Sequence, residues 1–353
     1  MSKTNTKLIG VQYMRALAAM MVLIGHVIAE AEHYFGVDLP LDLIPWTRGV
    51  DIFFVISGFI IMVSSQKYYD MQNGVGVFLR NRFVRVVPLY WFFTTLMLIV
   101  LLVMPGATKD TQMDWMQTIT SYLFIPYERY DGRAAPILSL GWTLNFEIFF
   151  YAVFSLALLL PRRIGPWAVI AAMALWSLLG AVIGFEQTVL RVWTNPLIIE
   201  FCFGVLLGYV YVFHWQGVPG RNGLAFVILA VGFLLLVLLN IPEDLPRFLA
   251  SGLPAAAMVG AVVFLWHQSE VHSILSRFGA LMGDCSFALY LSHRFVLRAL
   301  TIVLVPLLPG TAEGAGLFVL LACTVAILGS IVVYHLIERP MLALFSRPRR
   351  QLA

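Results

Sequence analysis

Ten long apolar segments, separated by short polar breaks, constrain the fold of this chain more than any other feature. Each has about the 20 residues that a helix needs to cross the hydrocarbon core of a bilayer. Continuous apolar runs favour helices, because the strands of a membrane barrel alternate apolar and polar residues over about ten positions. We predict spans at 8–30, 47–65, 84–104, 142–160, 167–185, 192–213, 223–240, 248–267, 284–308 and 315–336.

Composition supports a membrane location. Of the 353 residues, 60% are hydrophobic and 12% are charged, whereas a soluble domain carries about 25% charged residues. The mean hydropathy is +0.87. We therefore predict an all-α polytopic membrane protein with about ten transmembrane helices around a polar cavity. Residues 1–340 would form one transmembrane domain, and residues 341–353 a short basic cytoplasmic tail.

The basic residues indicate an orientation. With a cytoplasmic N-terminus, fourteen of the 23 Lys and Arg residues fall on the inner side, six on the outer side and three within spans. Cytoplasmic loops are enriched in Lys and Arg, so both termini are expected inside. The net charge of +4 resides mainly in these loops, and no nucleic-acid partner is expected. The first segment contains Arg15 and His26, which makes it too polar and too long for a cleaved signal peptide.

Arg15 and His26 share one face of the first segment. Eleven residues turn a helix by about 1,100°, to within about 20° of the starting face, with an axial rise of roughly 16 Å. Ionisable groups in a span are costly and usually face a polar interior. An ion pair of Arg15 and a helix-end hydrogen bond of His26 would each explain one residue alone. Their common face favours a functional site, with His26 as a candidate base.

Two carboxylates are expected near the depth of His26. Asp51 begins the second segment and shares a face with Gly58, which permits close helix approach. Glu147 lies about one turn into the fourth segment, four residues after Thr143. Because a carboxylate beside an imidazole fixes its tautomer and raises its basicity, both acids are candidate catalytic residues. Simple capping by Asp51 and attraction of Glu147 to a helix dipole are the alternatives.

Two arginines precede the third segment. Arg82 and Arg85 are three residues apart and share a helix face. Paired guanidinium groups suit phosphates, although anchoring on the cytoplasmic side is the simpler explanation.

The ninth segment carries a second polar face. Tyr290 and His293 are one turn apart, as are Arg294 and Arg298. Polar groups at these positions imply a hydrated cavity. No metal is expected, because the histidines and glutamate at 267–272 lie in a loop without an apparent fourth ligand. The cysteines have no metal-ligand spacing and are expected to be small buried residues: Cys202, Cys285 and Cys323.

The longest loop, at about 105–141, is expected on the outer side. It is rich in aromatic and charged residues: Trp115, Tyr122, Tyr127, Glu128, Arg129, Tyr130, Asp131 and Arg133. Such a mixture suits sugar binding, and an interfacial aromatic belt next to a solvated loop explains it equally well.

Four of these segments together resemble the membrane acyltransferase-3 family, over nearly the whole chain. Arg15 and His26 match its Arg-x10-His pattern, and Arg82 with Arg85 match its Arg-x-x-Arg pattern. Its Phe-Phe-x-x-Ser-Gly pattern is matched by Phe53, Phe54, Ser57 and Gly58. The segment from Trp142 to Glu147 is similar to its Trp-Ser-Leu-x-x-Glu pattern, with Thr143 in place of serine. The N-terminal segment and the compact length resemble the exopolysaccharide O-acetyltransferase branch.

The resemblance implies an acetyl-CoA-dependent O-acetyltransferase of the bacterial inner membrane. Acyl-CoA, usually acetyl-CoA, would be the co-substrate, and a sugar hydroxyl of an exported polysaccharide or its lipid-linked precursor the acceptor. The catalytic residues would be His26, Glu147 and Asp51. The residues implied for donor binding are Arg15, Arg82, Arg85, Ser57, Gly58 and His293. Compatible partners are polysaccharide-assembly proteins or a second copy of the chain.

Two other functions fit the same pattern. Ten spans with buried charges also suit a transporter of a glycolipid or a small solute, although no repeat between halves and no paired broken helices are apparent. A non-catalytic membrane subunit of a polysaccharide synthase is the second alternative.

Overall fold

The architecture in the computed structural model is almost entirely helical. The structure describes residues 8–40, 44–104, 106, 108, 111–215, 220–238, 245–266 and 273–346. No β-strand forms in these ranges, where a single antiparallel bridge joins Glu128 to Ala134. In chain order, the α-helices of these ranges are α1 Ile9–Phe35, α2 Gly49–Ser65, α3 Gly74–Val103, α4 Trp115–Tyr122, α5 Trp142–Ala157, α6 Gly165–Ile183, α7 Thr188–Trp193, α8 Ile198–Phe213, α9 Asn222–Leu238, α10 Leu253–Phe264, α11 Ile274–Leu304, α12 Ala312–Val333 and α13 Arg339–Ser346.

Eight helical segments of the described chain are long and apolar enough to cross a bilayer. They are Ile9–Phe35, Trp46–Tyr68, Gly74–Val103, Ser139–Ala157, Gly165–Ile183, Thr188–Phe213, Ile274–Leu304 and Ala312–Phe345. Two shorter apolar helices, Asn222–Val237 and Phe248–Phe264, coincide with the predicted segments 223–240 and 248–267. Each predicted segment thus has a helical counterpart, which confirms an all-α polytopic membrane protein.

The chain divides into two compact units. Unit 1 comprises Met1–Ser64 and Pro196–Ile327, and unit 2 comprises Ser65–Asn195 and Leu328–Ala353. The helix α13 covers residues 341–346 of the predicted tail, and the basic residues Arg347, Arg349 and Arg350 lie outside the described residues.

Helices α1 and α11 of unit 1 pack side by side and run parallel. Glycine at position 283 lets α11 lie against the backbone of α1 at Gln12, because a Cβ there would collide with the Gln12 carbonyl group. Further along both helices, Thr301 Oγ1 donates a hydrogen bond to Glu30 Oε1 (3.1 Å). Residue numbers therefore increase in the same direction along both helices. In this parallel arrangement the polar face of α11 packs against the polar face of α1.

Helices α2 and α8 of unit 1 cross at a pair of glycines. A Cβ on Gly58 would collide with the backbone carbonyl of Phe201, and one on Gly204 with the carbonyl of Val55. The two helices therefore approach closely through small residues, as is common where helices pack in membranes. Phe54 stacks on Phe201 beside this crossing, with ring centroids 4.6 Å apart.

In unit 2, α3 begins well before the predicted third segment. It is continuous from Gly74 to Val103, about 45 Å at 1.5 Å per residue, and so exceeds the roughly 30 Å hydrocarbon core. Arg82 and Arg85 therefore lie on the helix itself, in a basic stretch at 80–85 that precedes its long apolar part. Aromatic packing around Phe78, whose ring centroid is 5.7 Å from that of Phe154, joins α3 to α5.

Candidate functional site

Two histidine rings meet between α1 and α11. The Nε2 atom of His293 is 3.2 Å from Nδ1 of His26, and the ring centroids are 5.1 Å apart. His293 is 1% exposed, whereas His26 is only partly buried. The polar faces predicted on the first and ninth segments thus contact each other through two imidazoles that are 267 positions apart in the sequence.

The hydrogen bonds of the two rings determine where their protons reside. Nδ1 of His26 is 2.9 Å from the Val22 carbonyl oxygen, and Nδ1 of His293 is 2.9 Å from that of Leu289. A carbonyl oxygen only accepts, so each Nδ1 carries the proton of its neutral ring. The unprotonated Nε2 of His293 then also accepts from Nδ1–H of His26. This leaves a lone pair on Nε2 of His26, which forms no hydrogen bond within the described part of the chain.

An aromatic contact links this pair to the second motif. Phe53 packs edge-on against Tyr290, with centroids 6.1 Å apart, and Tyr290 in turn lies 6.4 Å from the His293 ring. Ser57 follows one turn later on α2 and is partly buried. The Phe-Phe-x-x-Ser-Gly segment of α2 is thus linked to the histidine pair by the contact of Phe53 with Tyr290.

Arg15 lies on the same uninterrupted helix as His26, which supports their predicted common face. Its Nη1 donates a hydrogen bond to Gln12 Oε1 at 3.1 Å. The separation along α1 is roughly 16 Å, so Arg15 and His26 do not act on one atom.

Asp51 has a different partner from the one that the sequence predicts. It is fully buried in the first turn of α2, and both of its oxygens accept hydrogen bonds from Arg247, at 2.9 Å from Nε and 2.7 Å from Nη2. Such bidentate pairs of arginine and carboxylate are strong and directional. The predicted pairing of Asp51 with His26 is not found among the described contacts, because Arg247 engages the carboxylate instead.

Two further charged residues surround Asp51. Glu200, fully buried near the start of α8, lies within reach of the charges of Asp51 and Arg247. Arg48 is 9% exposed and donates from Nη1 to the Leu236 carbonyl oxygen at 2.7 Å. This buried charged cluster joins α2, α8 and the approach to α10.

Glu147 and the paired arginines belong to unit 2. The Tyr151 hydroxyl donates to Glu147 Oε1 at 2.5 Å, and the charges of Glu147, Arg82 and Arg85 all act on Tyr151. Arg85 Nη1 forms an ion pair at 2.7 Å with Glu338, which is buried. Because Glu147 and His26 belong to different units, their pairing stays a prediction.

The long loop of unit 2 is held by hydrogen-bonded ion pairs. Glu128 accepts from Thr188 (2.9 Å) and Arg191 (2.6 Å), and these hydrogen bonds lower its pKa. The Arg133 guanidinium donates to Asp131 at 2.6 and 2.8 Å and lowers the pKa of that carboxyl to about 2. Exposed aromatic rings, Trp115 and Tyr130 among them, leave both predicted roles of this loop open.

Metal ligands do not cluster in the described ranges, where no group of three or more His, Cys, Asp or Glu could hold an ion. The loop residues His267, Glu270 and His272 lie outside those ranges.

The sequence reasoning missed Glu200, Arg247 and Glu338 as partners. Glu200 carried a usable signal, because a lone carboxylate in an apolar span requires a partner. Nothing in the local sequence distinguishes Arg247 or Glu338 as the partner of a buried charge. His293 was predicted to bind the donor, and its contact with His26 gives it a second possible role.

Comparisons with known proteins agree with the motifs. A profile of the acyltransferase-3 family, described as an acyltransferase domain, matches residues 8–335. The exopolysaccharide production protein ExoZ of Rhizobium meliloti (strain 1021) is 30% identical over 322 residues, which cover 90% of this chain and 93% of the relative. The acyltransferase MdmB of Streptomyces mycarofaciens is 23% identical over 368 residues, 95% of this chain and 92% of the relative. No solved structure matches the chain.

The charged cluster predicts that Asp51 supports stability. Asp51→Asn should lower the free energy of unfolding by roughly 1–3 kcal/mol, since the partly buried Arg247 guanidinium loses its carboxylate. The loss should be smaller than for a wholly buried pair, because the Arg247 side chain is 36% exposed. Arg247→Gln should have a similar effect and exposed Glu186→Gln almost none, as measured by thermal unfolding in detergent. Wild-type stability combined with lost activity in Asp51→Asn would instead identify Asp51 as catalytic.

Proposed function

Because this chain belongs to the acyltransferase-3 family, we propose that it is a membrane O-acyltransferase that transfers an acetyl group from acetyl-CoA to a sugar hydroxyl. The acceptor is an exported polysaccharide or its lipid-linked precursor, as the name of the exopolysaccharide production protein ExoZ favours. Acyl transfer is also in the name of MdmB. The observation that carries the proposal is the histidine pair, which leaves Nε2 of the accessible ring free to take a proton.

The reaction requires one base and returns its proton. The acceptor hydroxyl oxygen attacks the thioester carbonyl carbon while Nε2 of His26 takes the hydroxyl proton. The carbonyl π electrons move to oxygen, then return as the C–S bond breaks. The leaving CoA sulfur takes the proton from His26, so the products are the O-acyl ester and the CoA thiol. A positioned base of this kind contributes about 10²–10⁴-fold in rate.

His293 acts as a positioning residue in this scheme. Its Nε2 and the Val22 carbonyl oxygen share Nδ1–H of His26, and the bond from His293 Nδ1 to Leu289 fixes its own ring. A second group that holds the base in one tautomer is a common device of acyl-transfer sites. Here the orienting group is a neutral imidazole. Glu147, bonded to Tyr151, is proposed to contact the acceptor hydroxyl, as the family pattern implies.

The donor would approach from the cytoplasm. His26 is about 26 Å along α1 from Ile9, so pantetheine would extend along α1 past Arg15. The family pattern implies that Arg82 and Arg85 bind the donor phosphates. The excess of Lys and Arg on the inner side supports both termini in the cytoplasm, in a bacterial inner membrane. The acceptor would enter from the outer side, where the loop bearing Trp115 and Tyr130 offers aromatic surface.

Removal of the proposed base should abolish product acylation. In a strain lacking the gene, a wild-type copy should restore O-acetyl groups on surface polysaccharide, as measured by mass spectrometry. His26→Ala should not, because no other group would take the hydroxyl proton. His33→Ala is the matched control, since His33 is exposed near the end of the same helix. Normal acetylation with folded His26→Ala would exclude His26 as the base, and no change on deleting the gene would contradict the function.

The phosphate-binding role of Arg82 and Arg85 is tested with two donors. Arg82→Gln, and Arg85→Gln combined with Glu338→Gln so that no carboxylate is left unpaired, should raise the KM for acetyl-CoA by about tenfold or more. The KM for acetyl-pantetheine, which lacks the phosphates, should stay unchanged. Exposed Arg163→Gln serves as the control. Equal changes for both donors would indicate that the arginines only anchor the helix.

A further inference from the structure

Arg294 is a charged residue of unit 1 that the scheme above leaves without a role. It follows His293 directly in α11 and is partly buried within this apolar helix. Its guanidinium forms no hydrogen bond or ion pair with any residue that the structure describes. A guanidinium within an apolar span is costly to leave unpaired, so its position indicates a partner that arrives with the substrates.

The charge of Arg294 acts on both imidazoles of the histidine pair. His26 and His293 each lie within its electrostatic reach. His26 also experiences the charge of Glu30, which is buried one turn further along α1. Arg294, which follows His293 in α11, is thus a cation whose charge reaches the proposed base.

The neighbouring charged groups are already engaged. Glu30 accepts a hydrogen bond from Thr301 at 3.1 Å. Arg298, one turn beyond Arg294, donates to the Tyr34 hydroxyl at 2.5 Å and faces the Tyr34 ring at 5.9 Å. These contacts tie α1 to α11, whereas Arg294 contributes no such tie within the described ranges.

We infer that Arg294 stabilises the oxyanion that forms on the thioester carbonyl oxygen during acyl transfer, an inference that rests on the proposed function. When the hydroxyl attacks, negative charge develops on that oxygen, which is three bonds from the proton that His26 removes. A cation beside His26 is therefore close to the developing charge, and its stabilisation is greatest where water is excluded. Arg15, roughly 16 Å away along α1, cannot serve this atom, and its role is in the donor path.

Arg294 adds no proton transfer to the reaction. Its guanidinium stays protonated throughout, donates N–H groups to the oxyanion, and releases the oxygen when the carbonyl re-forms and the C–S bond breaks. His26 carries the proton from the hydroxyl to the sulfur as before. His26 therefore transfers the proton, and Arg294 stabilises the negative charge.

The test is a steady-state assay of purified protein in nanodiscs. The donor is acetyl-CoA, the acceptor is surface polysaccharide purified from a strain lacking the gene, and release of CoA thiol is followed. Arg294→Ala should lower kcat by about 10²–10³-fold with the KM for polysaccharide within about twofold of wild type. Arg294→Lys should retain an intermediate kcat, and millimolar guanidinium should partly restore Arg294→Ala. Arg277→Ala, an exposed arginine on the same helix, should match the wild type.

Guanidinium should not restore the activity of His26→Ala. This control distinguishes stabilisation of the oxyanion by Arg294 from removal of the proton by His26. Folding is monitored by gel filtration and thermal unfolding, and Arg294→Lys is used if Arg294→Ala is unstable. A kcat of Arg294→Ala within about twofold of the control would overturn the inference. So would a raised KM for polysaccharide with unchanged kcat, because Arg294 would then bind an acidic acceptor. Absence of thiol release by the wild type would instead contradict the proposed function itself.

Discussion

Polar side chains within apolar helices must be satisfied by the chain itself, because lipid offers no hydrogen bonds. Three described contacts answer this requirement with partners distant in sequence. His26 contacts His293, and both oxygens of Asp51 accept hydrogen bonds from Arg247. Arg85 pairs with Glu338 in the other unit. Each contact joins segments that are distant in the chain, so these polar groups help to fix which segments are neighbours within a unit.

The fold could be predicted almost completely from the sequence, whereas the contacts of the site could not. Long apolar runs predict helices. The eleven-residue spacing of Arg15 and His26 corresponds to a common helix face because α1 is continuous. Spacing within one helix says nothing about which other helix faces it. Asp51 was therefore predicted to accompany His26, although Arg247, 196 positions away, engages it. The predicted third segment started too late, since the basic residues at 80–85 interrupt the apolar pattern and yet are helical.

A pair of imidazoles has chemical consequences that differ from those of an imidazole with a carboxylate. A carboxylate would orient the base and also favour its charged form. The neutral ring of His293 orients His26 through Nδ1 without placing a negative charge beside it. Of the two charged groups that act on His26, Glu30 accepts a hydrogen bond from Thr301, whereas Arg294 would act on the developing oxyanion. The arrangement is suited to attack by a neutral hydroxyl on a thioester.

The most direct test of this account is the tautomer of His26. Protein labelled with ¹⁵N-histidine is studied in nanodiscs by solid-state NMR near neutral pH, and the His26 signals are identified by their absence in His26→Gln. The account predicts a neutral ring with a protonated Nδ1 and an unprotonated Nε2, and a shifted Nδ1 signal in His293→Phe. A His26 ring protonated on Nε2, or unaffected by His293→Phe, would contradict it.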